Sequence, residues 1–572
     1  MIKGIPVSSG IGMAKALLLT SEPEQTVVKQ IQPEQVAAET ARLERSVEQA
    51  AAQLQELADK ARAAAGEEQA AIMEAHQAFL ADPSFVGEMK NRIAAQQIDA
   101  ESAVRQVADE FVLIFEAMED AYMRERAADI RDVGKRLVQN LRGGGGNTLA
   151  SISEPVILVA EDLTPSDTIQ MPREHVMGIV TVTGGATSHA AILARSLGVP
   201  AVMGVGEALF AQVKQGDHLI IDGSTGEILI NPDQETEARY AALLEKEQER
   251  KRALNQIRDL TAKTTDGHEV SLMANIGGSE DVASLLEKGA EGIGLFRSEF
   301  LFMDREELPT EEEQFQAYVR VVQGMQGKPV IIRTLDVGGD KQLPYLDLPK
   351  EMNPFLGWRA IRISLDRHDL FKDQLRAILR ASAFGKALIM FPMISHLEQV
   401  RQAKSVLEEA KQELRTAGVA FDEAIEVGVM IEVPAACLIA DELAREVQFF
   451  SIGTNDLVQY TVAVDRMNEK ISGLYDYFHP AVLRLMKMVI DASHRHGIWT
   501  GLCGEMAADP LATELLLGMG LDEYSTNENS LLEIKQRIRE SSFAEAQQAA
   551  AEALAMATPA DVRAYLSSRL KR

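Results

Sequence analysis

The sequence predicts a multidomain α/β protein whose carboxyl-terminal part is a (β/α)8 TIM barrel. The chain has 572 residues, which exceeds what a single hydrophobic core usually supports. Eight short apolar runs alternate with helical patterns across residues 264–572, and this alternation is typical of the barrel. A long helical stretch interrupts an earlier group of strand-like runs. It predicts a smaller α/β domain with an inserted helical bundle.

The smaller α/β domain is predicted to comprise residues 1–20 and 147–232. Its strand-like runs are short, apolar and rich in Val and Ile, as expected for a buried sheet. They are Ile5–Leu19, Pro155–Ala160, Met177–Val182 and His218–Asp222. Because the first run precedes the helical stretch and the others follow it, we expect the bundle to be an insertion between strands of one sheet.

The inserted bundle is predicted to comprise residues 21–146. Apolar residues recur there at alternating intervals of four and three, which is the repeat of one helix face. They are Leu43, Val47, Ala50, Leu54, Leu57 and Ala61. Four consecutive glycines, Gly143 to Gly146, end the stretch. We expect a bundle of about four helices.

A charged linker helix and then the barrel complete the predicted order. Residues 233–263 contain no Gly or Pro and are rich in Glu, Lys and Arg, which predicts an exposed helix. The eight strand-like runs of residues 264–572 are Val270–Ile276, Gly292–Phe296, Pro329–Thr334, Leu388–Met393, Val427–Val433, Phe449–Thr454, Trp499–Cys503 and Asp522–Ser525. An open doubly wound sheet is the alternative interpretation of the same alternation.

Five of the predicted barrel strands end in polar residues. These strand-end residues are Arg297, Arg333, Glu432, Asn455 with Asp456, and Cys503. In a (β/α)8 barrel the carboxyl ends of all strands face one mouth, where active sites are built. The agreement among five strands therefore predicts an active site at that mouth.

The residue types at this mouth indicate that an anionic substrate binds there together with a metal ion. Arg297 and Arg333 offer planar guanidinium groups that match phosphate or carboxylate. Glu432 and Asp456 offer the hard oxygen ligands with which proteins bind Mg²⁺. Arg466 follows Asp456 by ten residues and is placed to reach the same mouth.

Cys503 and His189 each allow a structural and a chemical interpretation. Cys503 is either a small buried residue, or a proton donor or nucleophile that stands between Gly501-Leu502 and Gly504. His189 follows Gly184-Gly185 at the start of a helical pattern. In the structural interpretation, His189 caps the helix or packs against its neighbours. In the chemical interpretation, it is a neutral nucleophile, and the N–H groups of the helix N-terminus would bind a phosphoryl group that it had accepted.

Composition excludes several classes of function. The formal charge is −28, which argues against a nucleic-acid partner. No apolar run approaches the ~20 residues of a membrane span, and the amino terminus has no pattern of a secretory signal. The two cysteines, Cys437 and Cys503, exclude a disulfide framework and fit a reducing cytoplasm. We expect a cytoplasmic protein without membrane insertion.

Several long motifs resemble those of the phosphoenolpyruvate-utilising enzymes. The stretch GGATSHAAILARSLGVPAV is similar to their phosphohistidine signature. The stretches NPFLGWRAIR, GVMIEVPAA, FFSIGTNDLVQYTVAVDR and GLCGEMAADP are similar to their barrel domain and occur in the family's order. Over essentially the whole chain, the resemblance is to the enzyme I group of the bacterial sugar phosphotransferase system.

The resemblance implies a phosphoenolpyruvate-protein phosphotransferase that acts with Mg²⁺. Its phosphohistidine would be His189, which would accept the phosphoryl group through Nε2 and pass it to a histidine of the carrier protein HPr. HPr would dock on the helical bundle, and the enzyme would be a homodimer through its barrel. Cys503 would protonate the enolate, and Glu432 and Asp456 would bind Mg²⁺. The implied phosphoenolpyruvate-binding residues are Arg297, Arg333, Asn455, Asp456, Arg466 and Arg359, and Thr168 would hydrogen-bond His189.

The chain departs from the family pattern at three places outside the residues assigned to chemistry. Ala186 stands where Arg is usual, Ser8-Ser9-Gly10 lacks the usual proline, and Ser525-Thr526 replaces the more usual Ser-Met. A catalytically silent phosphocarrier and a nucleotide-using dikinase are the rival interpretations. The motif residues are all present, which disfavours the first, and no segment resembles an ATP-binding domain, which disfavours the second.

Overall fold

The computed structural model describes most of the chain. The described residues are 2–19, 28–65, 67–118, 121–143, 149, 152–164, 166–167, 171–185, 188, 190–191, 194–195, 198–206, 208–278, 282–303, 305–339, 343, 345–346, 351–468 and 470–570. The chain divides into two compact units, Met1–Glu249 and Arg250–Arg572.

The first unit contains an eight-stranded mixed sheet. Its strands are β1 (Ile2–Lys3), β2 (Ile5–Ser8), β3 (Ile11–Leu19), β4 (Val156–Ala160), β5 (Val176–Thr181), β6 (Ala201–Met203), β7 (His218–Asp222) and β8 (Glu227–Ile230). They lie in the order β1-β8-β7-β3-β4-β5-β6-β2. Strands β3 to β6 are parallel to one another, and the remaining neighbours are antiparallel. The amino-terminal segment therefore joins this sheet, as its apolar pattern predicts.

A helical bundle fills the connection between the adjacent parallel strands β3 and β4. The described residues of this connection form α1 (Val36–Ala65), α2 (Glu67–Ala81), α3 (Pro83–Gln96), α4 (Ala100–Glu116) and α5 (Ala121–Leu141). Asp82 and Asp99 cap α3 and α4 by accepting hydrogen bonds from backbone N–H groups. The apolar face predicted on α1 contributes Leu43, Leu54 and Leu57 to the core of the bundle. The bundle therefore has its own hydrophobic core.

A small and a large helix follow in the chain, and the large one continues past the boundary between the two units. Helix α6 spans Ala208–Gln212 and packs its Leu209 under the sheet. Helix α7 spans Gln234–Gln256, and Tyr240 is its buried residue. The charged pattern predicts a helix over residues 233–263, and the helix ends several residues earlier, because Ile257 to Leu260 form turns.

The second unit is a closed barrel of eight parallel strands. They are β9 (Ser271–Ile276), β10 (Ile293–Arg297), β11 (Val330–Arg333), β12 (Ala387–Phe391), β13 (Val427–Ile431), β14 (Phe449–Ile452), β15 (Trp499–Leu502) and β16 (Glu523–Thr526). Strand β16 closes the barrel by pairing with β9. Each predicted run overlaps one of these strands, so the barrel is confirmed and the open-sheet alternative is wrong.

Helices surround the barrel and cover its outer face. They are α8 (Val282–Glu287), α9 (Glu311–Gly324), α10 (Ile361–Asp366), α11 (His368–Ser382), α12 (Leu397–Ala417), α13 (Pro434–Leu438), α14 (Ala440–Ala444), α15 (Thr454–Val462), α16 (Pro480–Arg495), α17 (Pro510–Met519), α18 (Leu531–Glu540), α19 (Phe543–Ala555) and α20 (Pro559–Leu570). Their apolar faces form one large core with the outward-facing strand residues. None of the described helices is both long and apolar enough to cross a bilayer.

Candidate active site

The mouth of the barrel is formed by the residues at which the strands end. Arg297 and Arg333 are the last residues of β10 and β11. Glu432 and Cys503 directly follow β13 and β15, and Asp456 lies in the first turn of α15, after β14. Because all strands of the barrel are parallel, these side chains share one end of it. The polar residues that the sequence places at strand ends therefore lie together at the mouth of the barrel.

Arg333 is held in the mouth by two buried carboxylates. Its Nη2 lies 2.6 Å from Glu299 Oε1, and its Nη1 lies 3.0 Å from Asp336 Oδ2. Burial by itself would lower the pKa of Arg333, but the charges of Glu299 and Asp336 outweigh it and raise the pKa. The guanidinium therefore stays charged. Its Nε is buried and makes no hydrogen bond with a described residue, which leaves a donor for a substrate oxygen.

Arg359 connects this pair to the opposite side of the mouth. Its Nη2 lies 3.0 Å from Asp336 Oδ1 and 3.3 Å from Asp456 Oδ2, and its Nη1 donates to the Tyr460 hydroxyl at 3.1 Å. Arg466 binds the second oxygen of Asp456 at 3.3 Å. Arg333, Asp336, Arg359, Asp456 and Arg466 thus form one continuous chain of ion pairs. As in Arg333, the buried Nε of Arg359 lacks a partner among the described residues.

Arg297 differs from the other arginines because it is exposed at the end of β10. No ion pair joins its guanidinium to any residue in the described part of the chain, whereas Arg333 and Arg359 each contact two carboxylates. An exposed guanidinium without a carboxylate partner keeps its donors for a ligand.

Glu432 is a buried carboxyl group beside other acids. Its Oε1 accepts the backbone N–H of Met393 at 2.6 Å, and the side chain is almost wholly buried. Burial first, and then the charges of Asp456 and Asp336, raise the pKa of Glu432 to about 8. Acidic groups placed this close together are stabilised by a cation.

Glu432 and Asp456 offer the oxygen ligands that a hard divalent cation takes. Mg²⁺ is usually held by one or two carboxylates, with substrate phosphate and water completing its shell. In the described residues no cluster of three or more His, Cys, Asp or Glu side chains forms a metal site, so this pair would depend on substrate oxygens. The mutual repulsion of Glu432 and Asp456 fits that role.

Cys503 lies in the same mouth as a buried thiol. It is 5% exposed, and its Sγ donates to the Ile452 carbonyl at 3.7 Å. Burial raises the pKa of the thiol to about 11, and the Arg333 charge opposes this only in part. At neutral pH the sulfur therefore carries a proton. The chemical environment suits a proton donor better than a thiolate nucleophile.

Asn455 is fixed between two neighbouring strand ends. The Glu505 backbone N–H donates to Asn455 Oδ1 at 3.3 Å, and the Tyr475 hydroxyl donates to the Asn455 carbonyl at 3.2 Å. Gly504 allows this approach, because a Cβ atom there would overlap the Thr454 hydroxyl. The loops after β14 and β15 therefore meet at Asn455.

His189 and Thr168 lie outside the described residues. Around His189, strand β5 ends at Thr181 and Gly184 has a φ of 94°, a conformation that favours glycine. The Ser188 hydroxyl donates to the Gly185 carbonyl at 3.0 Å, and Ala190 and Ala191 are buried in the core. The predicted glycine turn is present, and the roles of His189 and Thr168 stay predictions.

The sequence did not assign a role to several polar residues of the barrel interior. Glu299 and Asp336 stand at the strand ends of the two predicted arginines, but only the structure shows that they bind Arg333. Asn275, at the end of β9, donates to the carbonyls of Cys503 and Ser525 at 3.0 Å each. The signal that could have identified these residues is a polar side chain at or near the end of each apolar run.

Three family models of the PEP-utilising enzymes match the chain. The model of the PEP-binding domain matches residues 251–543, which include the whole barrel. The model of the N-terminal domain matches residues 3–126, and that of the mobile domain matches residues 152–226.

Curated relatives match over nearly the full length of the chain. Phosphoenolpyruvate-protein phosphotransferase of Priestia megaterium is 48% identical, with 99% of this chain and 98% of the relative covered. The enzymes of the same name from Geobacillus stearothermophilus and Haemophilus influenzae are 49% and 50% identical. These alignments cover 99% and 98% of this chain, and 97% and 98% of the respective relatives. The chain belongs to the PEP-utilising enzymes and, within them, to the phosphoenolpyruvate-protein phosphotransferases.

Proposed function

We propose that this protein transfers the phosphoryl group of phosphoenolpyruvate to its own His189 and then to a histidine of HPr. This would be the first step of a sugar phosphotransferase system. The observation that carries the proposal is the barrel mouth, where arginines with free donors surround two carboxylates and a protonated thiol. Such a mouth matches a small substrate that carries both a phosphate and a carboxylate.

The arginines divide the binding of phosphoenolpyruvate among them. Arg297 is exposed and free to bind phosphate or carboxylate oxygens through two parallel hydrogen bonds. Arg333 offers its unpartnered Nε from a fixed position between Glu299 and Asp336. Arg466 and Asn455 line the other side of the mouth. Arg359 neutralises Asp336 and Asp456 and adds a second unpartnered donor.

Glu432 and Asp456 would hold Mg²⁺ together with substrate oxygens. When bound, the ion would neutralise charge on the phosphate and on the enolate oxygen as the phosphoryl group leaves. The two carboxylates follow the neighbouring strands β13 and β14, and the Met393 backbone N–H fixes one oxygen of Glu432. Asp456 also binds Arg359 and Arg466, so it connects the cation site to the arginines that we assign to the substrate.

Cys503 supplies the proton that converts the enolate to pyruvate. Removing the phosphoryl group leaves a carbon that needs one proton. The arginines stay charged at neutral pH, and carboxylates that bind a metal have no proton to give. The buried thiol carries a proton at neutral pH, because its pKa is about 11. It lies at the same end of the barrel as Arg333 and Glu432, whose charges act on it.

The remaining parts of the chain serve the second transfer. Residues 1–20 and 147–232 form the phosphohistidine domain, in which His189 accepts phosphate through Nε2 beside Thr168. Residues 21–146 bind HPr, and residues 233–263 link this half to the PEP-binding and dimerisation barrel of residues 264–572. The protein acts in the cytoplasm as a homodimer. The full-length similarity to phosphoenolpyruvate-protein phosphotransferases supports these assignments.

The test is phosphoryl transfer from labelled phosphoenolpyruvate. The protein should acquire acid-labile phosphate only when Mg²⁺ is present, and it should lose that phosphate to HPr. His189→Gln should bind phosphoenolpyruvate but acquire no label, whereas the matched variant His175→Gln should be labelled normally. Persistent labelling of His189→Gln would refute the assignment of the phosphohistidine.

A second measurement separates the two halves of the reaction. In Glu432→Ala, phosphate from phosphoenolpyruvate should no longer reach the protein, but phosphorylated HPr should still donate its phosphate back to His189. Loss of both transfers in a folded variant would contradict the division between the barrel and the phosphohistidine domain.

A further inference from the structure

Glu523 carries a carboxyl group that lies inside the barrel and has no role in the site described above. It is the first residue of β16, is 2% exposed and stands opposite Gly501 of β15. A Cβ atom at Gly501 would overlap Glu523 Oε2, and one at Gly294 of β10 would overlap Oε1. The two glycines therefore provide the space that the carboxyl group fills.

This carboxyl group has no partner that would stabilise its charge. Neither oxygen makes a hydrogen bond of standard geometry with a described residue. An unpaired buried carboxylate is costly, and the group avoids that cost by keeping its proton. Burial accordingly raises the pKa of Glu523 well above its ordinary value, and the Leu502 backbone N–H opposes this only in part. Glu523 is therefore a neutral acid that stores a proton inside the barrel.

Glu523 lies close to Cys503 along the barrel interior. Gly501 and Cys503 are alternate residues of one chain segment, so they face the same side, about 6.6 Å apart along the strand. The Glu523 carboxyl group fills the space beside Gly501. It therefore lies close enough to the thiol for one hydroxyl group to connect the two. In its ionised form Glu523 would raise the pKa of the Cys503 thiol, as expected at such a separation.

The Ser451 hydroxyl is placed to be the bridging group. Ser451 of β14 stands opposite Gly501 on the side away from Glu523. Its Oγ is buried and makes no hydrogen bond of standard geometry within the described chain, but it lies near enough to lower the pKa of the Cys503 thiol. Charged groups from other elements also act on this thiol. Arg333 of β11 lowers its pKa, and Glu432, directly after β13, raises it.

We propose that Glu523 returns a proton to Cys503 after each pyruvate is formed, with the Ser451 hydroxyl as the bridge. The inference rests on the proposed function, because it assumes that Cys503 protonates the enolate. Glu523 acts through Cys503 and does not touch the substrate, so it is a positioning residue that restores the thiol.

In the proposed relay, each proton that leaves one group is taken up by the next. Cys503 loses its proton to the enolate carbon and becomes a thiolate. The Ser451 hydroxyl gives its proton to sulfur while it takes one from the Glu523 carboxylic acid, so an S–H bond forms as an O–H bond of Glu523 breaks. The Glu523 carboxylate then regains a proton from solvent between turnovers. One solvent proton is consumed for each pyruvate, and no oxidant or reductant is needed.

The test is to count pyruvate formed per active site after rapid mixing of the full-length protein with Mg²⁺, excess phosphoenolpyruvate and excess HPr. Glu523→Gln should form its first pyruvate at the wild-type rate, because Cys503 starts protonated. Later turnovers should be at least about tenfold slower, because general acid–base groups contribute factors of this size or more. The deficit should shrink as the pH falls, because hydronium can then protonate the thiolate.

Two further variants keep this experiment decisive. Ser451→Ala removes the bridging hydroxyl and should show the same fast first turnover and slow later turnovers. If Glu523→Gln does not fold, Ser451→Ala tests the proposal in its place. Glu545→Gln removes an exposed carboxylate of α19 and should match the wild type in every phase. Later turnovers at the wild-type rate in folded Glu523→Gln and Ser451→Ala would overturn the proposal. A wild-type protein that forms no pyruvate would instead refute the proposed function.

Discussion

The two ends of the barrel interior differ in chemistry although the same strands form both. At the amino-terminal end, Phe449 and Trp499 begin β14 and β15, and their rings stack with centroids 4.6 Å apart and planes 7° apart. At the other end, β11 finishes in Arg333 and β13 leads into Glu432. One end is closed by aromatic packing, and the other collects charge. This division teaches that stability and function occupy opposite ends of one scaffold.

The charged groups at the carboxyl end lose hydration free energy on burial, and the aromatic rings at the other end do not have this cost. Arg333, Asp336, Arg359 and Asp456 are all buried, and removing ions from water costs several kcal/mol each before pairing offsets it. Replacement of a buried ion-pair network by apolar residues is often neutral or stabilising. The retention of this network is therefore explained better by binding than by stability.

The largest effect is expected from Asp456→Asn at the charged end. The change removes one carboxylate from the proposed cation pair and weakens contacts to Arg359 and Arg466. Phosphorylation by phosphoenolpyruvate should fall about 10³-fold, the scale of losing one group that stabilises developing charge. The measurement is the rate of label uptake at fixed Mg²⁺. Asp369→Asn, at an exposed carboxylate paired with Arg367, is the matched control, and a loss below tenfold in Asp456→Asn would contradict the prediction.

The next effect is expected from Phe449→Ala at the aromatic end. Phe449 is fully buried and stacks on Trp499, so its removal should lower the free energy of unfolding by about 3–5 kcal/mol. The rate of phosphorylation per folded molecule should stay near the wild-type value. Denaturant titration and label uptake measure the two quantities. Phe384→Ala, at a half-exposed ring, should cost much less, and equal costs would show that the aromatic end has no special role in stability.

A smaller effect is expected from Arg297→Lys. Lysine keeps the charge but cannot form two parallel hydrogen bonds from one planar group. The KM for phosphoenolpyruvate should rise about tenfold, the scale of one charge-assisted hydrogen bond. Steady-state kinetics measures it, and Arg320→Lys on the exposed face of α9 is the control. An unchanged KM would mean that Arg297 does not bind the substrate.

A further effect is expected from Glu523→Gln, as a change in the pH dependence of the free energy of unfolding. Burial raises the pKa of Glu523 in the folded protein, whereas the unfolded chain ionises near pH 4.3. The wild type therefore loses stability as the pH rises from there toward the folded pKa, by at most about 1.4 kcal/mol per pH unit. The amide does not titrate, so Glu523→Gln should gain stability relative to the wild type between pH 5 and pH 7. If the free energies of unfolding of the wild type and Glu523→Gln differed by the same amount at pH 5 and at pH 7, Glu523 would be ionised throughout this range.

Much of the fold followed from local patterns. The eight barrel runs were recognisable because each is short, apolar and bounded by polar residues, and each overlaps an observed strand. Part of the mouth followed as well, because parallel strands bring Arg297, Arg333 and Glu432 to one end. The role of His189 rests on its sequence motif alone and stays a prediction.

The structure alone supplied the contacts within the mouth. Arg359 lies 23 residues from Asp336 and 97 residues from Asp456 along the chain, yet it binds both. No local pattern encodes such a pairing, since it depends on how the loops after β11 and β14 meet. For the same reason, the sequence motif assigned Arg359 to the substrate but did not show that Asp336 and Asp456 hold it.

The sequence by itself determined the order of elements, the alternation of strands and helices, and the strand ends at which the polar residues lie. These properties follow from hydrophobic periodicity and strand direction, which are local. Only the tertiary structure decided which charges pair and that Glu523 remains unpaired inside the barrel beside Gly294 and Gly501. The physical reason is that the pKa and the partners of a buried group depend on neighbours from distant parts of the chain, which folding alone brings together.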